Sequence, residues 1–184
     1  MSARLLVAAL VLAASPALAA APPDEGRAMA GAVTAFYAVH AHTDQDGIPD
    51  AATRAKYAPT VSPRLLKQLE DGEAAETRYA RANKNVPPLV EGDLFSPNFE
   101  GITSFRVGAC DPKKGTCALE GHYQDARPRP QDKPVDWTDT VYLVRTPAGW
   151  KVDDIAYGGA WEFGNHGKLS ELLKSIIRDS YMKP

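Results

Sequence analysis

Cysteine is nearly absent from this chain: Cys110 and Cys117 are the only two among 184 residues. Two thiolates are too few ligands for a structural zinc site. Their spacing also differs from the C-x-x-C of reactive pairs at a helix start. Long apolar runs are missing as well, the longest being Leu5 to Ala14, well short of the roughly 18 to 20 residues a bilayer span needs. Positive charge shows no excess: 21 basic against 23 acidic residues leave no basic footprint, so a nucleic-acid partner is not expected. No internal repeat or low-complexity block occurs. The sequence has no G-x-S-x-G, no G-x-x-x-x-G-K-[ST] and no G-x-G-x-x-G, which removes the serine-hydrolase, phosphate-loop and dinucleotide signatures. Histidines at 40, 42, 122 and 166 show neither H-x-x-x-H nor H-E-x-x-H spacing. No metal and no cofactor are therefore expected.

What is present begins with an address. Residues 1 to 19, MSARLLVAALVLAASPALA, combine one basic residue, a short apolar run and the small-x-small end Ala17-Leu18-Ala19. This pattern reads as a signal peptide cleaved before Ala20, which predicts a periplasmic or secreted protein. No cysteine follows that point to be acylated, so no membrane anchor is expected and the mature chain should be soluble. Residues 20 to 184, about 165 in all, suffice for one domain with its own core. In CDPKKGTC the intervening Asp-Pro-Lys-Lys-Gly is turn chemistry, so the cysteines should face each other across a hairpin and form a disulfide after export. Closing so short a loop stabilises by roughly 2.5 kcal/mol on the chain-entropy estimate. A redox pair is the alternative.

The pattern predicts helices first and strands afterwards. Asp24 to His42 places Met29, Val33, Phe36, Tyr37 and His40 on one helical face. Asp50 is a cap for a short helix reaching Tyr57, and Ser62-Pro63 opens another with Leu65, Leu66 and Leu69 inward, interrupted at Gly72. Val86 to Gly101 reads as a structured loop. Thr103 to Cys110, with Phe105, Val107 and Ala109 on one side, pairs with Cys117 to Gln124. Trp137 to Thr146 and Trp150 to Ala156 form a second hairpin across Pro147-Ala148-Gly149. Lys168 to Tyr181 closes the chain as a helix. The expected class is α+β: N-terminal helices packed on a curved, cone-like antiparallel sheet, with a C-terminal helix.

Three segments, the helix ending FYAVH, the helix carrying RLLKQL and the hairpin V-Y-L-V-R-x-x-x-G-W-K-V-D-D-I, resemble the nuclear transport factor two-like superfamily. Within it the chain resembles the secreted bacterial domain-of-unknown-function family 3828, over Gly26 to Ile177. The resemblance implies a sheet wrapped round helices with an open-ended cavity that binds small molecules or partners, and a homodimer formed through the outer sheet face. It implies no reaction. Where such relatives carry Asp-Pro-Phe and a polar Gln-Asp pair, this chain has Asp93-Leu94-Phe95 and Ser96-Pro97-Asn98, so that loop is expected to be built differently.

Strict alternation from Trp150 and Val152 would turn Asp154 toward the core and Ile155 away. A bulge at Asp153-Asp154 would restore Ile155 and leave both carboxylates at the sheet edge. If Asp154 instead faces a cavity, it becomes a base or ligand contact, with Tyr37, His40 and Tyr157 as neighbours. His42 to Thr53 resembles a calcium loop at Asp44, Asp46 and Asp50 but has His42 first and Thr53 where a bidentate Glu belongs. The glycine-rich AYGGAWEFGNHG presents Trp161 and Phe163 and suits recognition. The candidate ligand- or partner-binding residues are thus Tyr37, His40, Asp154, Tyr157, Trp161 and Phe163. The first expectation is a non-catalytic module binding an envelope protein or a small apolar molecule. The alternatives are a cofactor-independent isomerase, dehydratase or hydrolase using Asp154 or His40 as base, and a periplasmic immunity or inhibitor protein.

Overall fold

The computed structural model describes residues 24–43, 46–159, 161–162 and 164–182. The signal-peptide reading, Asp44 and Phe163 lie outside them. Asp24 opens helix α1 (Glu25–His40) by accepting the Arg27 amide, and the 3.6-residue period makes Met29, Val33, Phe36, Tyr37 and His40 one buried face. Asp50 caps α2 (Ala51–Tyr57) by accepting from Thr53 N at 2.8 Å. Ser62 caps α3 (Pro63–Ala82), where Pro63 supplies a preset first turn.

Gly72 does not interrupt α3. It is buried where α4 (Leu169–Asp179) packs alongside, and a Cβ there would stand 3.2 Å from Leu173 Cδ2 and 3.3 Å from Ile48 Cδ1. Close helix packing outweighs the roughly 1 kcal/mol propensity loss of a mid-helix glycine.

The fold is α+β: helices at both ends of the chain and a curved, unclosed antiparallel sheet in the order β1-β2-β3-β4. Its strands are β1 (Ser104–Asp111), β2 (Thr116–Tyr123), β3 (Val135–Thr146) and β4 (Gly149–Ala156). Cys110 pairs with Cys117 across the first hairpin, and a disulfide joins them. The β1 register shifts between Val107 and Cys110, which turns Ala109 to solvent; only Phe105 and Val107 of the expected stripe reach the core.

The inner sheet face, with Leu119, Val141, Val152 and Ile155 fully buried, packs on Val33, Phe36, Leu65 and Leu173. Strand β4 is the last in the sheet, and its outer edge is covered: Ser62 N donates to Val152 O at 2.8 Å and Val152 N to Thr60 O at 3.0 Å. Covering the edge satisfies amides that would otherwise template pairing with another chain. Among the described residues no helix is long and apolar enough to cross a membrane.

Candidate binding site at the Trp161 loop

The acidic doublet sits on a bulge. Tyr142 pairs with Asp154 and Leu143 with Val152, so Asp153 is the extra residue, and Val152 and Ile155 both return to the core. Asp154 is not at the surface, however. It is 7% exposed because the start of α4 covers it, and its carboxylate accepts from Ser170 N at 3.0 Å, Ser170 Oγ at 2.6 Å and Ile155 N at 3.0 Å. Asp153 does the same for α3, accepting from the cap residue Ser62 and from the Arg64 guanidinium at 3.0 Å. Partial burial alone would raise the Asp153 carboxyl, but the hydrogen bonds from Arg64 and Ser62 hold it below its ordinary 3.8. The stability it contributes is present above that value and lost as pH falls through the lower folded one. Each aspartate fastens one helix start to β4.

A buried polar series forms where α1 ends. His40 Nε2 lies 2.8 Å from Asp93 Oδ2, and Nδ1 lies 2.9 Å from the Tyr57 hydroxyl. Asp93 Oδ1 accepts the Phe95 amide at 2.7 Å. The expected neighbours Tyr37 and Tyr157 converge on the same loop: Tyr37 donates to Phe95 O at 3.2 Å and Tyr157 to Leu94 O at 2.7 Å. Burial, then the carboxylates of Asp93 and Asp139, pushes both of these phenols well above their ordinary range. Tyr57 is raised to about 12 by burial. These hydroxyls therefore stay protonated and act as donors at neutral pH. His40, Tyr57 and Asp93 are almost fully buried, at 1%, 0% and 2% exposure.

Asp139, to which no sequence motif points, ties this core to the aromatic loop. It accepts from Gly158 N at 2.8 Å and from Trp137 Nε1 at 2.9 Å. Burial, helped by the Asp93 charge, raises its carboxyl from 3.8 to about 6 against those two donors. A raised folded value means that the native state holds the proton more tightly than the unfolded chain. Asp139 therefore weakens folding progressively as pH rises from about 4 to about 6. The stability difference between the parent and Asp139→Asn should accordingly shift against the parent by up to about 3 kcal/mol from pH 4 to pH 7. Urea unfolding of both proteins across that range measures it, and a pH-independent difference would refute the assignment.

After β4 the backbone at Tyr157 and Gly167 is joined, Tyr157 N donating to Gly167 O at 3.0 Å, which closes the ends of the Trp161 loop. The glycines are required by close approach: a Cβ on Gly158 would lie 1.8 Å from Thr138 O, and one on Gly159 would lie 2.0 Å from the Trp161 ring. Asn165 pins this loop to the 93–98 segment, its Nδ2 donating to Asp93 O and Ser96 O at 2.8 Å and its backbone N to Pro97 O at 3.1 Å. Trp161 is half-buried and meets Trp137 edge to face, the ring centroids 5.6 Å apart. Between the two loops opens a mainly apolar pocket of about 310 Å³, lined by Pro97, Asn98, Phe99, Trp161, Glu162 and Gly164. Phe99 is 48% exposed.

The candidate residues thus divide. Tyr37, His40 and Tyr157 gather on the buried loop at 93–95, Asp154 caps α4, and Trp161 lines a pocket. Of the acids in the calcium-like stretch, Asp46 accepts the Gly92 amide and Asp50 caps α2. Compared with known proteins, the chain matches no family model and no curated sequence.

Proposed function

We propose that this protein is a non-catalytic binding module that takes an apolar group, from an envelope protein or a small molecule, into the pocket between Phe99 and Trp161. The observation that carries this reading is the pair of aromatic walls held open to solvent by two loops that are cross-tied through Asn165. Elsewhere the large apolar side chains of the sheet's inner face are packed, so an aromatic pocket kept accessible suits recognition. Export belongs to the same reading and is supported by the Cys110–Cys117 disulfide. The likeness to nuclear transport factor two-like proteins is supported by the order of elements, helices first and then a curved antiparallel meander.

A cofactor-independent enzyme is the second reading, favoured by the hydrogen-bonded series Asp93, His40 and Tyr57. Those groups hold one another and the 93–95 backbone, whereas Trp161 and Phe99 face solvent, so binding is preferred.

The neutral apolar dye N-phenyl-1-naphthylamine tests the proposal. Trp161→Ala should weaken its binding about tenfold, with far-UV circular dichroism and unfolding midpoint retained. Unchanged affinity in both Trp161→Ala and Phe99→Ala would refute the site. An unfolded Trp161→Ala protein would show that the indole belongs to the core.

A further inference from the structure

The same pocket has a chemical bias that narrows its occupant. Building on the proposed binding function, on which the assignment rests, we propose that it takes an organic cation: an alkylammonium or guanidinium head carried on an apolar group.

Three observations lead there. First, Trp161, Phe99 and Pro97 line the pocket, and aromatic rings attract cations through their quadrupole while offering little to anions. Second, among the described residues Glu162 is the only charged one lining the pocket, and no hydrogen bond or ion pair there engages its carboxylate. Third, several of the other polar groups at the pocket are already used. Asn98 Nδ2 donates to Gly101 O at 3.0 Å, Asn98 N to Ser96 Oγ at 3.0 Å, and Pro97 O accepts from Asn165 N at 3.1 Å. An anion would meet like charge at Glu162.

The adjoining surface sharpens the choice. A separate polar groove of about 370 Å³ is lined by Glu100, Tyr123, Asp125, Arg129, Asp132 and Lys133 among others. There Arg129 is engaged by Asp132 through Nε at 3.0 Å and Nη2 at 2.9 Å, and Lys133 stands with Glu100 and Asp125, so the groove mixes both signs of charge. The Trp161 pocket differs in pairing a carboxylate with aromatic side chains and no lining cation.

The test is displacement of N-phenyl-1-naphthylamine by two probes of equal shape, choline and its neutral carbon analogue 3,3-dimethylbutan-1-ol, from the full mature chain and from Glu162→Gln. Expected is a loss of about fivefold in choline affinity on Glu162→Gln, with the neutral analogue changed less than about twofold. Choline binding the parent and the variant equally well, or both probes weakening together, would overturn the cation assignment while leaving the apolar pocket intact. Failure of choline to displace dye whose binding depends on Trp161 would also overturn it. Dye binding that is indifferent to Trp161 and Phe99 would instead remove the underlying site.

Discussion

Asp93→Ala is expected to lose about 3 to 5 kcal/mol of folding stability, the largest effect of any single polar substitution in this molecule. The carboxylate is 2% exposed and serves two donors at once, His40 Nε2 at 2.8 Å and Phe95 N at 2.7 Å. Nε2–H donating to Asp93 leaves Nδ1 to accept from the Tyr57 hydroxyl, so the imidazole is oriented from both sides. Alanine removes the acceptor from both donors in a place water does not reach. The consequence spreads to the pocket, because the Asp93 carbonyl also receives Asn165 Nδ2, the tie between the two binding loops. Asp93→Asn keeps one acceptor oxygen and should lose less, about 1 to 2 kcal/mol. Urea unfolding of the three proteins at pH 7 measures the order, and a loss below about 1 kcal/mol for alanine would show that the series contributes little.

Much of the architecture was legible because local periodicity and burial agree. In α1 the spacing from Met29 to His40 named the buried face, and at β4 the clash between alternation and the Asp153-Asp154 doublet called for a bulge that the register indeed contains. The cross-hairpin disulfide followed from turn chemistry between the two cysteines. Gly72 failed as a breaker and Ala109 failed as a core residue for one reason: a tertiary contact or a register shift overrides the local rule, and neither is written in the neighbouring residues.

The site was harder to see. Asp139 was within reach, since it shares strand parity with Trp137, Val141 and Leu143, all buried, and an acid among them should have been marked. Asp93 was not, because its partner His40 is 53 positions away and its own loop has no period. Trp161 was marked by glycine and aromatic content. Its opposite wall, Phe99, comes from another loop and is identified only when Asn165 brings the two together.

Asp154→Ala carries the second largest expected loss, about 2 to 4 kcal/mol, and it separates a structural aspartate from a catalytic one. Helix α4 starts after Lys168, whose ammonium side chain contains no acceptor, so the helix cannot cap itself in the ordinary way. Strand β4 supplies the missing acceptor instead: Asp154 takes both Ser170 N and Ser170 Oγ while Glu171 receives Lys168 N. Removing the Asp154 carboxylate frees the first turn of α4, and with it the Gly167 end of the Trp161 loop, which pairs with Tyr157. Hydrogen exchange should therefore show loss of protection concentrated in the first turn of α4 and at Tyr157, ahead of the rest of the sheet. Ser170→Ala should be partly redundant with Asp154→Ala, giving a coupling of about 1 kcal/mol in a double-mutant cycle. A general base would behave in the opposite way, with alanine leaving the fold and the α4 amides as protected as before. That outcome would move Asp154 from the scaffold to the chemistry.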